Sequence, residues 1–212
     1  MERKKYPLSF WILTVLILLL ILSALFAPAL APNDPNKTSL MDALKGPSAQ
    51  FPLGTDPLGR CLLSRMLYGG RVSIFSSLII TACVFVSGTL IGVFSGYAGG
   101  IADAVLTKII SITQAFPKII LAIAIAGVLG IGIKNTIIAL CIVEWAEYAR
   151  MARSLTRSVK ERTFIKAAKI CGCGEIKIMF RHILPNIIPP LIVSASLGIA
   201  SMIMEVAALS YL

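Results

Sequence analysis

The chain has 212 residues, of which 57% are hydrophobic, with a mean hydropathy of +0.88 and a net charge of +10. Soluble domains are roughly 45–50% apolar, so this composition excludes an ordinary soluble domain and reads as a polytopic membrane protein. In a soluble protein the charge would suggest a nucleic-acid partner. Here the basic residues border the apolar runs, where they set orientation, and no nucleic acid is expected.

A membrane span needs ~20 apolar residues to cross ~30 Å of hydrocarbon. Five runs qualify: about 9–30, 72–97, 102–127, 130–149 and 183–210. The first follows Arg3, Lys4 and Lys5. Although "ERKK" resembles the start of a signal peptide, the run exceeds a typical ~7–15-residue signal core and reads as a retained span. The following gap, rich in Pro, Gly, Asn and Asp, reads as a linker with a helical turn around Leu40–Leu44. In "RCLLSRMLYGGRVSIF", Leu62, Leu63, Met66 and Leu67 alternate with Arg60 and Arg65. The spacing predicts an amphipathic helix lying at the membrane interface.

The second run carries Gly88, Gly92 and Gly96, a ladder that allows close backbone approach. It serves packing within the chain or a subunit interface. The third run holds Asp103, Lys108, Gln114, Pro117 and Lys118. Either "QAFPK" marks a kink or a helix facing a polar path, or Lys118 snorkels and Pro117 merely bends the helix. The fourth run ends "VEWAEYAR", with Glu144 and Glu147 near its inner end and Trp145 and Tyr148 as interface anchors.

The 150–182 gap is the second basic cluster, with Arg150, Arg153, Arg157, Lys160, Arg162, Lys166, Lys169, Lys177 and Arg181. A cytoplasmic N-terminus and four crossings before it put both clusters on the cytoplasmic side. Lys37, Lys45, Arg60, Arg65 and Arg71 in the 32–71 gap oppose that assignment. "MARSLTRSVKERTFIKAAKI" lacks Gly and Pro and reads as a helix. Gly172 and Gly174 stop it, offering left-handed conformations for a turn. "EIKIMFRHIL" restarts a helix, and Pro185 opens the next membrane entry. The result is a helix–turn–helix elbow whose small centre, Ala167 and Ala168, lets a partner approach closely. The bland reading is an elbow that binds only anionic headgroups.

Three segments resemble a known family. "KAAKICGCGEIKIMFRHILPN" is similar to the EAA loop of ATP-binding cassette importer permeases, roughly E-A-A-x-x-x-G, an apolar position, then L-P. Ala167, Ala168, Gly172, Ile183, Leu184 and Pro185 match, while Lys166 replaces the usual Glu. "LGTDPLGRCLLSRMLYGGRVS" is similar to the segment after the first span in the C-subunit permeases of dipeptide, oligopeptide and nickel importers. Gly54, Thr55, Asp56, Gly59, Arg60, Ser64, Arg65, Gly69 and Arg71 carry that match, with Cys61 where the family usually has Asp. "WAEYARMARS" is the third.

The resemblance implies an all-α polytopic transmembrane helix bundle of the type I importer (MetI-like) kind, with five of about six spans present. Residues 1–71 would form the first span, an extracytoplasmic linker and the interfacial helix. Residues 72–212 would form the permease core, with its cytoplasmic coupling loop at about 150–182. Family members continue past "ALSYL" with a glycine-containing segment, a loop and a sixth span, so a C-terminal truncation is expected. The resemblance further implies a multi-pass protein of the bacterial inner membrane. It would pair with a homologous second permease and be driven by two cytoplasmic ATP-binding subunits. An extracytoplasmic solute-binding protein would deliver peptides or nickel. Peptide and nickel branches share these motifs; the short N-terminal tail and "WAEYARMARS" tilt toward nickel.

Other chemistry is thin. The chain has no G-x-x-x-x-G-K-[ST] phosphate loop, so energy must arrive through contact. Cys171 and Cys173 with His182 fall short of the ~4 ligands of a closed metal site, and neither a metal nor a cofactor is expected. An intramembrane protease would need paired acids or an activated nucleophile, and no G-x-S-x-G occurs. Enzyme activity is not expected, and a passive channel or an inactive truncated permease is the alternative. Lys118 and Glu205 are the candidates for a transport pathway, Glu205 otherwise pairing within the bundle.

Overall fold

The computed structural model describes residues 7–210. Arg3, Lys4 and Lys5, on which the expected cytoplasmic N-terminus rests, lie outside the described residues, as does the end of "ALSYL". The chain forms two compact units, Met1–Phe75 and Ser76–Leu212.

The first unit opens with α1 (Leu8–Leu25), a Leu- and Ile-rich helix that Pro7 precedes. Only 6% of its most apolar window is buried within the chain, so its side chains are left for lipid or another subunit. A short α2 (Ala27–Leu30) and a single 3-10 turn at Leu40–Asp42 follow. Then α3 runs unbroken from Leu62 to Ala98, 37 residues. The separate interfacial helix expected before the second span is therefore the first part of α3. Gly69 and Gly70 cost only ~1 kcal/mol each in a helix, and no proline lies in the segment to stop it.

In the second unit α4 (Gly100–Gln114) and α5 (Lys118–Leu129) meet at 87°. Pro117 lacks an N–H and keeps the preceding residue out of helical geometry. The third run is thus a right-angled break, not a gently bent span. Next comes α6 (Ile133–Lys160), then α7 (Thr163–Ile170) and α8 (Glu175–Ile178). A π-helical turn at Met179–Ile183 passes into α9 (Leu184–Leu209). The π turn lies just ahead of Pro185, whose ring would otherwise press on the preceding helical turn.

Among the described residues, three helical stretches are long and apolar enough to span: α1, α3 and the continuous Glu175–Leu209. The α4–α5 pair would be a fourth if it counts as one. The fourth expected run, 130–149, lies in α6, which is 28 residues long. α6 carries Lys134, Glu144, Glu147 and Arg150 in what would be its spanning stretch.

α6 is the centre of this unit, in contact with α4, α5, α7 and α9. Its face also meets the glycine ladder of α3. A Cβ added at Gly88 would lie 2.7 Å from the Trp145 carbonyl oxygen, and one at Gly96 would lie 2.7 Å from that of Arg153. At Gly92 it would collide with the Ala149 carbonyl oxygen. The ladder therefore serves packing within the chain. In lipid, helices associate through close van der Waals contact and not through hydrophobic exclusion, so missing side chains are what allow this crossing. Two apolar clusters flank it. One joins Ile80, Val84, Leu140, Val143 and Val206, and the other joins Val93, Ile165, Ile178, Ile183 and Leu191.

Candidate functional site

The "LGTDPLGR" motif folds into a self-braced loop in the first unit. The Asp56 carboxylate is its hub. Oδ1 accepts the backbone amides of Leu58 and Arg60, both at 2.9 Å; Oδ2 accepts Arg60 Nε at 2.8 Å and Arg65 Nη1 at 2.5 Å. Thr55 donates its hydroxyl to the Asp42 carbonyl and accepts the Lys45 amide. Gly59 has φ +73°, and a Cβ there would strike the Ser39 backbone carbonyl, so only glycine fits. Ser64 Oγ accepts the Asn33 amide at 3.1 Å. Gly54 and the buried Cys61 sit at the ends of this loop; Gly69 and Arg71 lie farther along α3.

Burial pushes the Asp56 carboxyl up. The backbone amides and the two guanidiniums outweigh that and hold it at about 2, below its ordinary 3.8. A depressed carboxylate contributes stability that is present above its unfolded value and is lost as pH falls through the folded one. Pepsin should therefore cut the loop progressively faster between about pH 4 and about pH 2. Asp56→Asn should already be cut at the upper end; equal cutting of both proteins there would remove Asp56 from its role as hub.

The elbow in the second unit departs from one continuous helix over 151–170. It breaks at Glu161 and Arg162, so α7 stands as a separate eight-residue helix. Ile165, Ile178 and Ile183 are buried, whereas Ile170 (87%), Ile176 (69%) and Phe180 (56%) are exposed. Lys166 and Ala167 are exposed and Ala168 is half-buried. Gly172 makes the turn at φ +79°, with open space around it. Gly174 instead takes an extended conformation ahead of α8, so one left-handed glycine suffices. Gly174, Ile176, Phe180, Arg181 and Pro185 line a shallow, mostly apolar groove. Leu184 is half-buried beside Ile183.

A strap ties this elbow to α3. The Tyr97 hydroxyl donates to Glu175 Oε2. Lys160 Nζ donates to the Tyr97 carbonyl at 2.5 Å. The ammoniums of Lys160 and Lys169 lie 5.0 and 5.4 Å from the ring centroid, contacts worth ~0.5–1 kcal/mol each at exposed sites. Asp103 on α4 completes the brace, taking Arg153 Nε at 2.5 Å and Arg153 Nη2 at 2.7 Å, and a hydrogen bond from Ser95 Oγ. Sequence reading missed the strap. Tyr97 and Glu175 are 78 residues apart, and nothing local links them.

A second feature lies among α5, α6 and α9. Lys118 Nζ meets Glu144 Oε2 at 3.1 Å and Glu147 Oε2 at 2.5 Å. Lys118 is therefore paired to α6 at the break after Pro117. These three residues, with Tyr148, Ser201 and Glu205, line a polar cavity of about 320 Å³. The two pathway candidates, Lys118 and Glu205, thus share one cavity. Among the described residues no group of three or more His, Cys, Asp or Glu side chains could hold a metal ion, and His182 sits in the π turn.

Residues 88–212 match the family model described as binding-protein-dependent transport system inner membrane component. The chain belongs to that family. Residues 8–47 match the N-terminal TM domain of oligopeptide transport permease C. The chain is 40% identical over 198 residues to the dipeptide transport system permease protein DppC of Alkalihalophilus pseudofirmus, covering 93% of this chain and 65% of that one. It is 40% identical to the probable D,D-dipeptide transport system permease protein DdpC of Escherichia coli, covering 93% and 66%. It is 38% identical over 198 residues to the nickel transport system permease protein NikC of Escherichia coli, covering 93% and 72%. The chain thus spans about two thirds of the length of these curated relatives. It is an all-α, multi-pass membrane protein of the type I importer (MetI-like) permease kind, from a family of transport permeases and not of enzymes.

Proposed function

We propose that this chain is the permease subunit of an ATP-binding cassette importer for peptides or nickel, set in a bacterial plasma membrane with its N-terminus and elbow on the cytoplasmic side. It pairs with a homologous permease, and together they form the pathway. An extracytoplasmic solute-binding protein delivers the cargo, and two ATP-binding subunits drive the cycle. Residues 1–71 act as an anchoring span with its braced linker, and 72–212 as the core.

The observation that carries this reading is the elbow. Large apolar side chains at Ile170, Ile176 and Phe180 stand exposed beside a groove, on a segment rich in charge. Exposed apolar surface rimmed by polar residues marks a docking site. Lys166, Ala167, Ala168 and Gly172 form the contact, and Ile183, Leu184 and Pro185 connect it to α9. The strap and the Asp103 brace then carry a push on α7 into α3, α4 and α6. Lys166, where the family has Glu, makes this contact basic. Peptide as cargo agrees with the relatives named for dipeptides, and nickel with NikC.

The test is uptake of a non-hydrolysable dipeptide and of nickel by cells that depend on this gene, with Ala168→Trp and Gly172→Val alongside. Gly172→Val forces a β-branched residue into a left-handed turn, at a cost of ~1–2 kcal/mol, and meets no neighbour within the chain. Both variants should insert and accumulate normally yet lose uptake. Normal uptake by both would end the coupling assignment, and gene-independent uptake of both solutes would end the importer reading.

A further inference from the structure

The polar cavity among α5, α6 and α9 is not explained by holding the bundle together. Its ionisable groups are Lys118, Glu144, Glu147, Tyr148 and Glu205. One ammonium faces three carboxylates. Lys118 occupies Oε2 of Glu144 and Oε2 of Glu147. Glu144, whose side chain is only 8% exposed, keeps Oε1 buried without a hydrogen-bond partner. On the facing helix α9, Glu205 Oε2 is likewise buried and without a partner. Buried polar atoms are nearly always satisfied, and leaving a charged one unsatisfied is among the costlier defects in a fold. Two such atoms lining one cavity, with an excess of negative charge, make it complementary to a cation.

The geometry points to a station for a primary ammonium group on the transport route, in which Glu144 and Glu205 receive the amino terminus of a passing peptide. This rests on the importer reading above. An ammonium offers three N–H donors. Glu144 Oε1 and Glu205 Oε2 accept two, and the Ser194 or Ser201 hydroxyl on α9 is available for the third. A metal ion would need at least three suitable ligands in reach, which the described residues do not assemble. The cavity volume of about 320 Å³ suits a small peptide end and not a whole long chain. Lys118 keeps its two carboxylate partners throughout, so the site's residual charge is what the cargo sees. The arrangement is suited to transient occupancy, because one face is lined by the apolar Leu197 and Met202.

The experiment uses the complete transporter with its binding protein, reconstituted in proteoliposomes, and two probes: glycylsarcosine and Ni²⁺. Wild type, Glu205→Gln and Glu205→Asp are compared at matched assembled amounts. Uptake of glycylsarcosine should fall about tenfold in Glu205→Gln, the scale of one lost charge-assisted hydrogen bond, and recover in part in Glu205→Asp, which a packing role would not predict. Wild-type glycylsarcosine uptake by Glu205→Gln would overturn the ammonium station and leave the importer reading standing. If both variants lose glycylsarcosine uptake equally, Glu205 is structural and the station is again overturned. Should wild type carry Ni²⁺ and lose only that in Glu205→Gln, the occupant is a metal and not an ammonium. Uptake of neither probe by wild type would overturn the importer reading itself and the station with it.

Discussion

Gly92→Leu pulls α3 away from α6 and lowers the stability of the second unit by about 3 kcal/mol or more, the upper range for overpacking a tight contact. The reason is what a side chain there would meet. The obstacle is the Ala149 carbonyl, with the Ala152 Cβ at 2.9 Å and the Arg153 amide nitrogen at 3.0 Å. Two of these three are backbone, and no rotamer change removes them. Ala149 and Ala152 are fully buried, so the helix as a whole must move. Gly127, on α5, has nothing within 4 Å of an added Cβ, and Gly127→Leu is the control. Thermal unfolding in detergent micelles should show a large loss for the first and little change for the second. Matching midpoints would mean that the crossing yields, and the ladder would then not hold these helices together.

Asp103→Ala leaves the half-buried Arg153 without its carboxylate and costs about 1.5–3 kcal/mol, the scale of a lost hydrogen bond between charged groups. Arg157 at 3.6 Å loses the same carboxylate, and Ser95 loses its acceptor. Replacing Arg153 as well, in Asp103→Ala/Arg153→Met, should restore most of the loss, because two apolar groups need no partner. The cycle of two single variants and the double variant, read by thermal unfolding, isolates the pair. A double variant as unstable as the sum of the singles would show that the two residues act independently. The pair also joins α4 to α6 beside the strap, so Asp103→Ala should weaken uptake even where the protein still folds.

Much of the site was legible because its signals are local. The left-handed glycine that ends α7 and the apolar runs of α1, α3 and α9 depend on residues within a few positions of each other. Local sterics and turn chemistry therefore specify them. At Pro117 the sequence left a kink and a mere bend open, and the 87° angle decides for a break; the glycine ladder was readable, although the helix it would pack against was not. Where reading failed, the cause was again physical. Residues 60–71 alternate like an interfacial helix, yet no proline or turn separates them from the second run, and α3 continues through. Residues 151–170 lack any breaker, yet α6 ends at Lys160, because Ile165 on α7 joins the cluster beneath the elbow.

What the sequence by itself determined is the solvent in which this protein lives, where its apolar runs and its glycine turn fall, and the family to which its motifs belong. Apolar run length and glycine geometry are properties of adjacent residues, and they survive without knowledge of the fold. Only the tertiary structure decided partners. It turned the glycine ladder inward onto α6, paired Lys118 with Glu144 and Glu147, and joined Tyr97 to Glu175 across 78 positions. It also brought Glu144 and Glu205 to one cavity from different helices. In the membrane a charge or a missing side chain gains its meaning from whatever stands opposite it. That is set by how helices pack, which no local pattern encodes.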